Sequence, residues 1–91
     1  MTKQQFDDLY LGKAVHCDTE EKANKFLKLA HGFGYHWRDG ESLLHQNYYY
    51  DCQEETSYLV DDDYGFSYDD LKLYKNRGYT IVEFEQGGLI R

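Results

Sequence analysis

The sequence contains no proline, two cysteines and one methionine, and no apolar run near the ~20 residues of a membrane span. Without proline, and with short connections between its patterned segments, the chain shows no linker and no low-complexity stretch. Its 91 residues are expected to form one domain spanning residues 1–91. Cys17 and Cys52 form no CxxC pair, and the first residues are too polar for a signal peptide. The expectation is a cytoplasmic protein with reduced thiols, in which a Cys17–Cys52 disulfide is disfavoured.

Catalytic and ligand-binding motifs are missing as well. No serine sits in GxSxG, and the glycines form neither GxGxxG nor GxxxxGK[ST]. His16, His31, His36 and His45 follow no metal-ligand spacing, although Cys17, His36 and Cys52 could meet across strands. The run from Asp61 to Gly65 departs from a calcium loop. Its glycine comes one position early, and Lys72 stands where a bidentate glutamate is needed. These absences predict a protein that is not an enzyme and carries no cofactor and no metal.

What the chain does have is acid and tyrosine. Seventeen Asp and Glu against ten Lys and Arg give a net charge of −7, and there are ten tyrosines. That many large rings predicts a packed core. Residues 1–45 carry seven acids against six bases, whereas residues 46–91 carry ten against four. Such a surface repels nucleic-acid phosphates and anionic membranes and attracts basic surfaces. Lys22, Lys25 and Lys28 form a basic helix face, but neighbouring Glu20, Glu21 and the net charge oppose direct nucleic-acid binding.

The patterning predicts an α+β fold: a mostly antiparallel sheet of about four to five strands, with one main helix and one or two short helices on one face. Thr2 and Gln5 form a capping box for an N-terminal helix within residues 1–12. Lys13–Cys17 reads as a strand. Asp18 or Thr19 then caps the main helix, with Asp18 and Glu21 in capping-box spacing. Ala23, Phe26, Leu27, Ala30 and Phe33 supply its apolar stripe. Tyr35–Arg38 reads as a strand. Asn47–Cys52 and Thr56–Val60 read as a hairpin, and Phe66–Tyr68 as a return to the sheet. Ser67 with Asp70 caps a short helix, Tyr79–Phe84 is a strand, and residues 86–91 are a flexible tail. Both main helices run into a Gly-Tyr pair, Gly34-Tyr35 and Gly78-Tyr79.

The candidate binding surface is the acidic, tyrosine-bearing stretch Glu54, Glu55, Asp61, Asp62, Asp63, Tyr64, Tyr68, Asp69 and Asp70. Tyrosine offers rigid contact area, and closely spaced carboxylates match a groove built for phosphates. Part of this pattern also has a local explanation, because strand tyrosines pack in sheets and acids cap helices.

The segments Val15-x-Cys17-x-Thr19-Glu20-Glu21-x-Ala23-x-x-Phe26-Leu27, Gly34-Tyr35-x-Trp37 and Tyr74-x-x-x-Gly78-Tyr79-x-Ile81-Val82-Glu83-Phe84 resemble small acidic phage and prophage proteins of Gram-positive bacteria. That resemblance spans most of residues 13–84. It implies a bacterial host cell and a pool that includes anti-CRISPR proteins. The expected function is a DNA-mimicking nuclease inhibitor bound to a basic surface of a host protein, a CRISPR effector nuclease or similar. The alternative is a non-enzymatic interaction or structural phage protein, monomer or homodimer, using a tyrosine-rich sheet face.

Overall fold

A computed structural model describes residues 1–84, so the predicted tail at 86–91 lies outside the described residues. The fold is α+β. Its elements are α1 (Lys3–Tyr10), β1 (Ala14–His16), α2 (Glu20–Gly32), β2 (His36–Trp37), α3 (Tyr49–Cys52), β3 (Thr56–Val60), β4 (Gly65–Asp70), α4 (Leu71–Asn76) and β5 (Ile81–Glu83). A single 3-10 turn, Gln53–Glu55, joins α3 to β3.

Among the described residues the sheet has five strands, in the order β2-β4-β3-β1-β5. It is mixed. β3 pairs antiparallel with β1 and β4, whereas β1–β5 and β2–β4 are parallel. The helices cover both faces instead of one. Alternation along the strands sends Val15, Tyr58, Val60, Phe66 and Phe84 toward α1 and α2, and Ala14, Leu59 and Ile81 toward Tyr74 of α4. Phe26 is the hub of the larger core. Its ring touches those of Phe6, Tyr10, Tyr58, Phe66 and Phe84 at centroid distances of 5.2–6.2 Å.

The helix termini follow the local chemistry. Thr2 and Gln5 make the reciprocal capping box of α1. Thr19 caps α2 by accepting from the Lys22 amide, so the Asp18–Glu21 pattern is not the one used. Asp70 caps α4 by accepting from the Leu73 amide, which leaves Ser67 inside β4. Both Gly-Tyr pairs close their helices in the same way. Gly34 and Gly78 take φ of 95° and 85°, and the next amide reaches back to Ala30 and Tyr74, respectively.

Residues 47–52 are not a strand. β3 already has β1 and β4 on its two edges, and all five of its residues are buried. The Asn47 side chain accepts from the Tyr49 amide at 2.9 Å, a local bond that competes with sheet pairing. Tyr48 then enters α3 in the left-handed region at φ 57°. The hairpin partner of β3 is therefore β4, in register Thr56↔Asp70 to Val60↔Phe66.

Candidate functional site: an acidic end of the sheet

The β3–β4 hairpin divides the predicted site residues into two groups. Asp61, Asp62, Asp63 and Tyr64 form its tip, Glu54, Glu55, Asp69 and Asp70 lie at its base, and Tyr68 stands midway along it opposite Tyr58. About five residues of strand, roughly 16 Å, separate the two.

At the tip most groups have structural partners. Asp61 is ion-paired with Arg38. Asp63 Oδ1 accepts from the Gly65 amide at 3.0 Å. Tyr64 holds a left-handed φ of 69°, its ring 5.2 Å from that of Tyr35 and 4.5 Å beneath the Lys3 ammonium. Asp62 is exposed.

The base gathers acids from far along the chain. Glu83, His16, Ser57 and Asp69 stand side by side on one row of the sheet, through the pairs His16↔Glu83, His16↔Ser57 and Ser57↔Asp69. At about 4.8 Å per strand the row spans roughly 14 Å. His16 Nδ1 lies 2.7 Å from Glu83 Oε1, and its Nε2 lies 2.7 Å from the Glu54 carbonyl. Neither nitrogen is engaged with Ser57, whose hydroxyl donates to the Glu55 carbonyl at 3.4 Å. The row therefore holds no nucleophile–base pair.

The segment 47–55 closes over this end through polar bonds. Tyr49 donates to the Asp18 carbonyl and Tyr50 to Glu20 Oε1, both at 2.9 Å. Asn47 donates to Glu20 Oε2 at 3.0 Å, and Tyr68 to Asp51 Oδ2 at 2.6 Å. Tyr48 stacks on Tyr68, with ring centroids 4.4 Å apart and planes 5° from parallel. Gln53 leaves the segment at a positive φ of 51°. Unlike glycine, a residue with a Cβ holds such a conformation only where its surroundings over-determine it.

Eight carboxylates thus share one end of the molecule: Asp18, Glu20, Asp51, Glu54, Glu55, Asp69, Asp70 and Glu83. The nearest cations along the chain are Lys22, 2.9 Å from Asp18, and exposed Lys72. The electrostatics record the crowding. Burial pushes the Cys52 thiol up, and Asp69, Asp70, Asp51 and Glu55 push it further. Burial also raises the Tyr49 phenol, with Glu54, Asp18 and Glu20 adding to the effect. Glu20 is lowered by its bonds from Asn47 and Tyr50. A raised thiol is a weak nucleophile, so Cys52 is not activated here.

Asp18, Glu20, Asp51 and Glu83 are members of this end that the sequence pattern did not single out. The capping positions of Asp18 and Glu20 were legible, but not their approach to residues 49–55. Among the described residues no cluster of three or more His, Cys, Asp or Glu is arranged to hold a metal ion. Both cysteines are free thiols. No helix among the described residues is long and apolar enough to cross a membrane. Comparison of the chain with protein-family models, with curated proteins and with solved structures finds no match.

Proposed function

We propose that this chain is a non-enzymatic, phage-type inhibitor that binds a host nucleic-acid-processing protein, a CRISPR effector nuclease or a similar enzyme. The carrying observation is the collection of eight carboxylates around the base of the β3–β4 hairpin. A groove that binds duplex DNA is lined with lysine and arginine against one phosphate charge per ~1.7 Å of helix axis. An acidic end about 14 Å across, with tyrosines at its margin, offers such a groove charge and rigid contact area together. Inhibition then follows from occupancy, and encounter is fast and salt-sensitive. The phage setting and the bacterial host come from the resemblance of the sequence motifs, and the cytoplasm from the expectation of reduced thiols. In this reading the acidic end is the main contact, because it gathers eight carboxylates, Asp18 paired with Lys22, against three at the hairpin tip, Asp61 paired with Arg38.

The test is capture from bacterial lysate on the immobilised protein at low and high salt, followed by duplex DNA as competitor. Nucleic-acid-binding proteins displaced by DNA support the reading. Capture that ignores both salt and DNA contradicts it.

A second reading, association through a tyrosine-rich face, is favoured by the exposure of Tyr50 (70%) and Leu44 (57%). It predicts a salt-insensitive homodimer or adaptor. A monomer in sedimentation at high protein concentration counts against the dimer.

A further inference from the structure

A cleft of about 400 Å³ lies between one flank of α2 and the loop that leads into α3. From α2 it is lined by Glu20, Leu27 and Lys28, and from the loop side by Leu43, Leu44 and Tyr50. Positions i, i+7 and i+8 fall along one side of a helix. Glu20 and Lys28 are therefore about 12 Å apart along the axis, the reach of roughly four residues of extended chain.

The cleft is graded in charge. At one end is Glu20, a member of the acidic end. At the other is exposed Lys28. Between them Leu27 and Leu43 form a buried apolar floor, and exposed Leu44 stands on the rim. Tyr50 is held on the rim by its 2.9 Å bond to Glu20. A rim fixed before binding lowers the ordering cost of contact. The Glu20 oxygens already accept one bond each, from Tyr50 and Asn47. A carboxylate has about four lone-pair sites, so an arginine can join without displacing either donor.

We propose that this cleft takes a short extended segment of the partner protein, with arginine or lysine against Glu20, apolar side chains over Leu27, Leu43 and Leu44, and a carboxylate against Lys28. The proposal rests on the reading of the acidic end as a protein-binding surface, and it adds the sequence chemistry of what is bound. Charge complementarity selects the occupant. A nucleic-acid strand would set a phosphate against Glu20, and an all-basic segment would set a cation against Lys28.

The test is a titration of isotope-labelled protein, followed by amide chemical shifts at low salt, with four blocked peptides. These are Arg-Leu-Leu-Glu, Arg-Gly-Gly-Glu, Arg-Leu-Leu-Arg and a hexa-arginine peptide. The leucine peptide should bind about ten-fold tighter than its glycine counterpart, the equivalent of one partly buried leucine. It should also move the amides of Asn24, Lys28, Leu44 and Tyr50. Leu44→Asp, a change at an exposed position, should erase that advantage, and Lys28→Glu should turn the preference toward Arg-Leu-Leu-Arg. Equal binding of the leucine and glycine peptides overturns the cleft proposal. If hexa-arginine still shifts Glu54, Glu55 and Asp69 in that case, the acidic end stands without the cleft. No response to any peptide overturns both.

Discussion

The Tyr68 hydroxyl donates to Asp51 Oδ2 at 2.6 Å, and this bond fastens the middle of β4 to α3 beside the acidic end of the sheet. The Asp51 bond is the largest cause, ahead of burial, that pushes the Tyr68 phenol up to about 12. Asp51→Asn keeps the shape and removes the charge. In that variant the Tyr68 ionisation should move down toward the ordinary value near ~10. A pH titration of the tyrosine ring-carbon signals checks this, and an unmoved midpoint would show that the bond is not formed. A raised native value favours the protonated phenol. The associated stability is complete below about pH 10 and is lost as pH rises toward 12.

On the acid side the sign reverses. Asp7 is lowered by bonds from Lys3 and Tyr35, Asp18 by Lys22, and Glu20 by Asn47 and Tyr50. Their contribution is present above the unfolded carboxylate values of roughly 4 and is lost as pH falls below them. The urea midpoint should therefore decline below about pH 4, and less steeply in Asp7→Asn. Asp18 is exposed and Asp7 and Glu20 are only half-buried, so each effect should be small. An identical decline in Asp7→Asn would remove Asp7 from the account.

Gly78→Ala tests the closure of α4. An added Cβ at Gly78 meets nothing within 4 Å, so the cost is that of a left-handed φ of 85° alone. That cost is about 1–2 kcal/mol. For a domain this small, each kcal/mol lowers Tm by roughly 4–8 °C. An unchanged Tm would mean that the turn relaxes to another conformation.

Phe26→Ala removes the ring that joins α1, α2 and the sheet. The expected loss is about 3–5 kcal/mol. Against a stability of order 5–8 kcal/mol for a domain this small, that loss takes away roughly half of the total and should lower the urea midpoint by a similar fraction. Urea unfolding followed by circular dichroism reads this directly. A loss below ~1 kcal/mol would mean that the core repacks around the gap.

Local signals carried much of the fold. The Thr2–Gln5 capping box, the α2 stripe and both Gly-Tyr closures rest on neighbours within a few residues, and each is present. The Asn47–Cys52 segment misled because its tyrosines have strand propensity, whereas its fate depends on β1 and β4 taking both edges of β3. Strand partnership is a long-range property. The acidic end was half legible for the same reason. Glu54, Glu55, Asp69 and Asp70 are close in sequence, but His16 and Glu83 meet across 67 positions. Asp61, Asp62 and Asp63 are consecutive and so plain in the sequence, yet Arg38, which pairs with Asp61, lies 23 positions away.

In the proposed function the base of the hairpin, and not its tip, meets a basic partner. Two triple variants separate them: Glu54→Gln/Glu55→Gln/Asp69→Asn at the base and Asp61→Asn/Asp62→Asn/Asp63→Asn at the tip. Both reduce the net negative charge equally, and both spare the Asp70 cap and the Tyr68–Asp51 bond. The most direct measurement is salt-dependent capture of nucleic-acid-binding proteins from bacterial lysate by each variant. The base variant should lose capture and the tip variant should keep most of it. Retention by the base variant together with loss by the tip variant would contradict the proposed function.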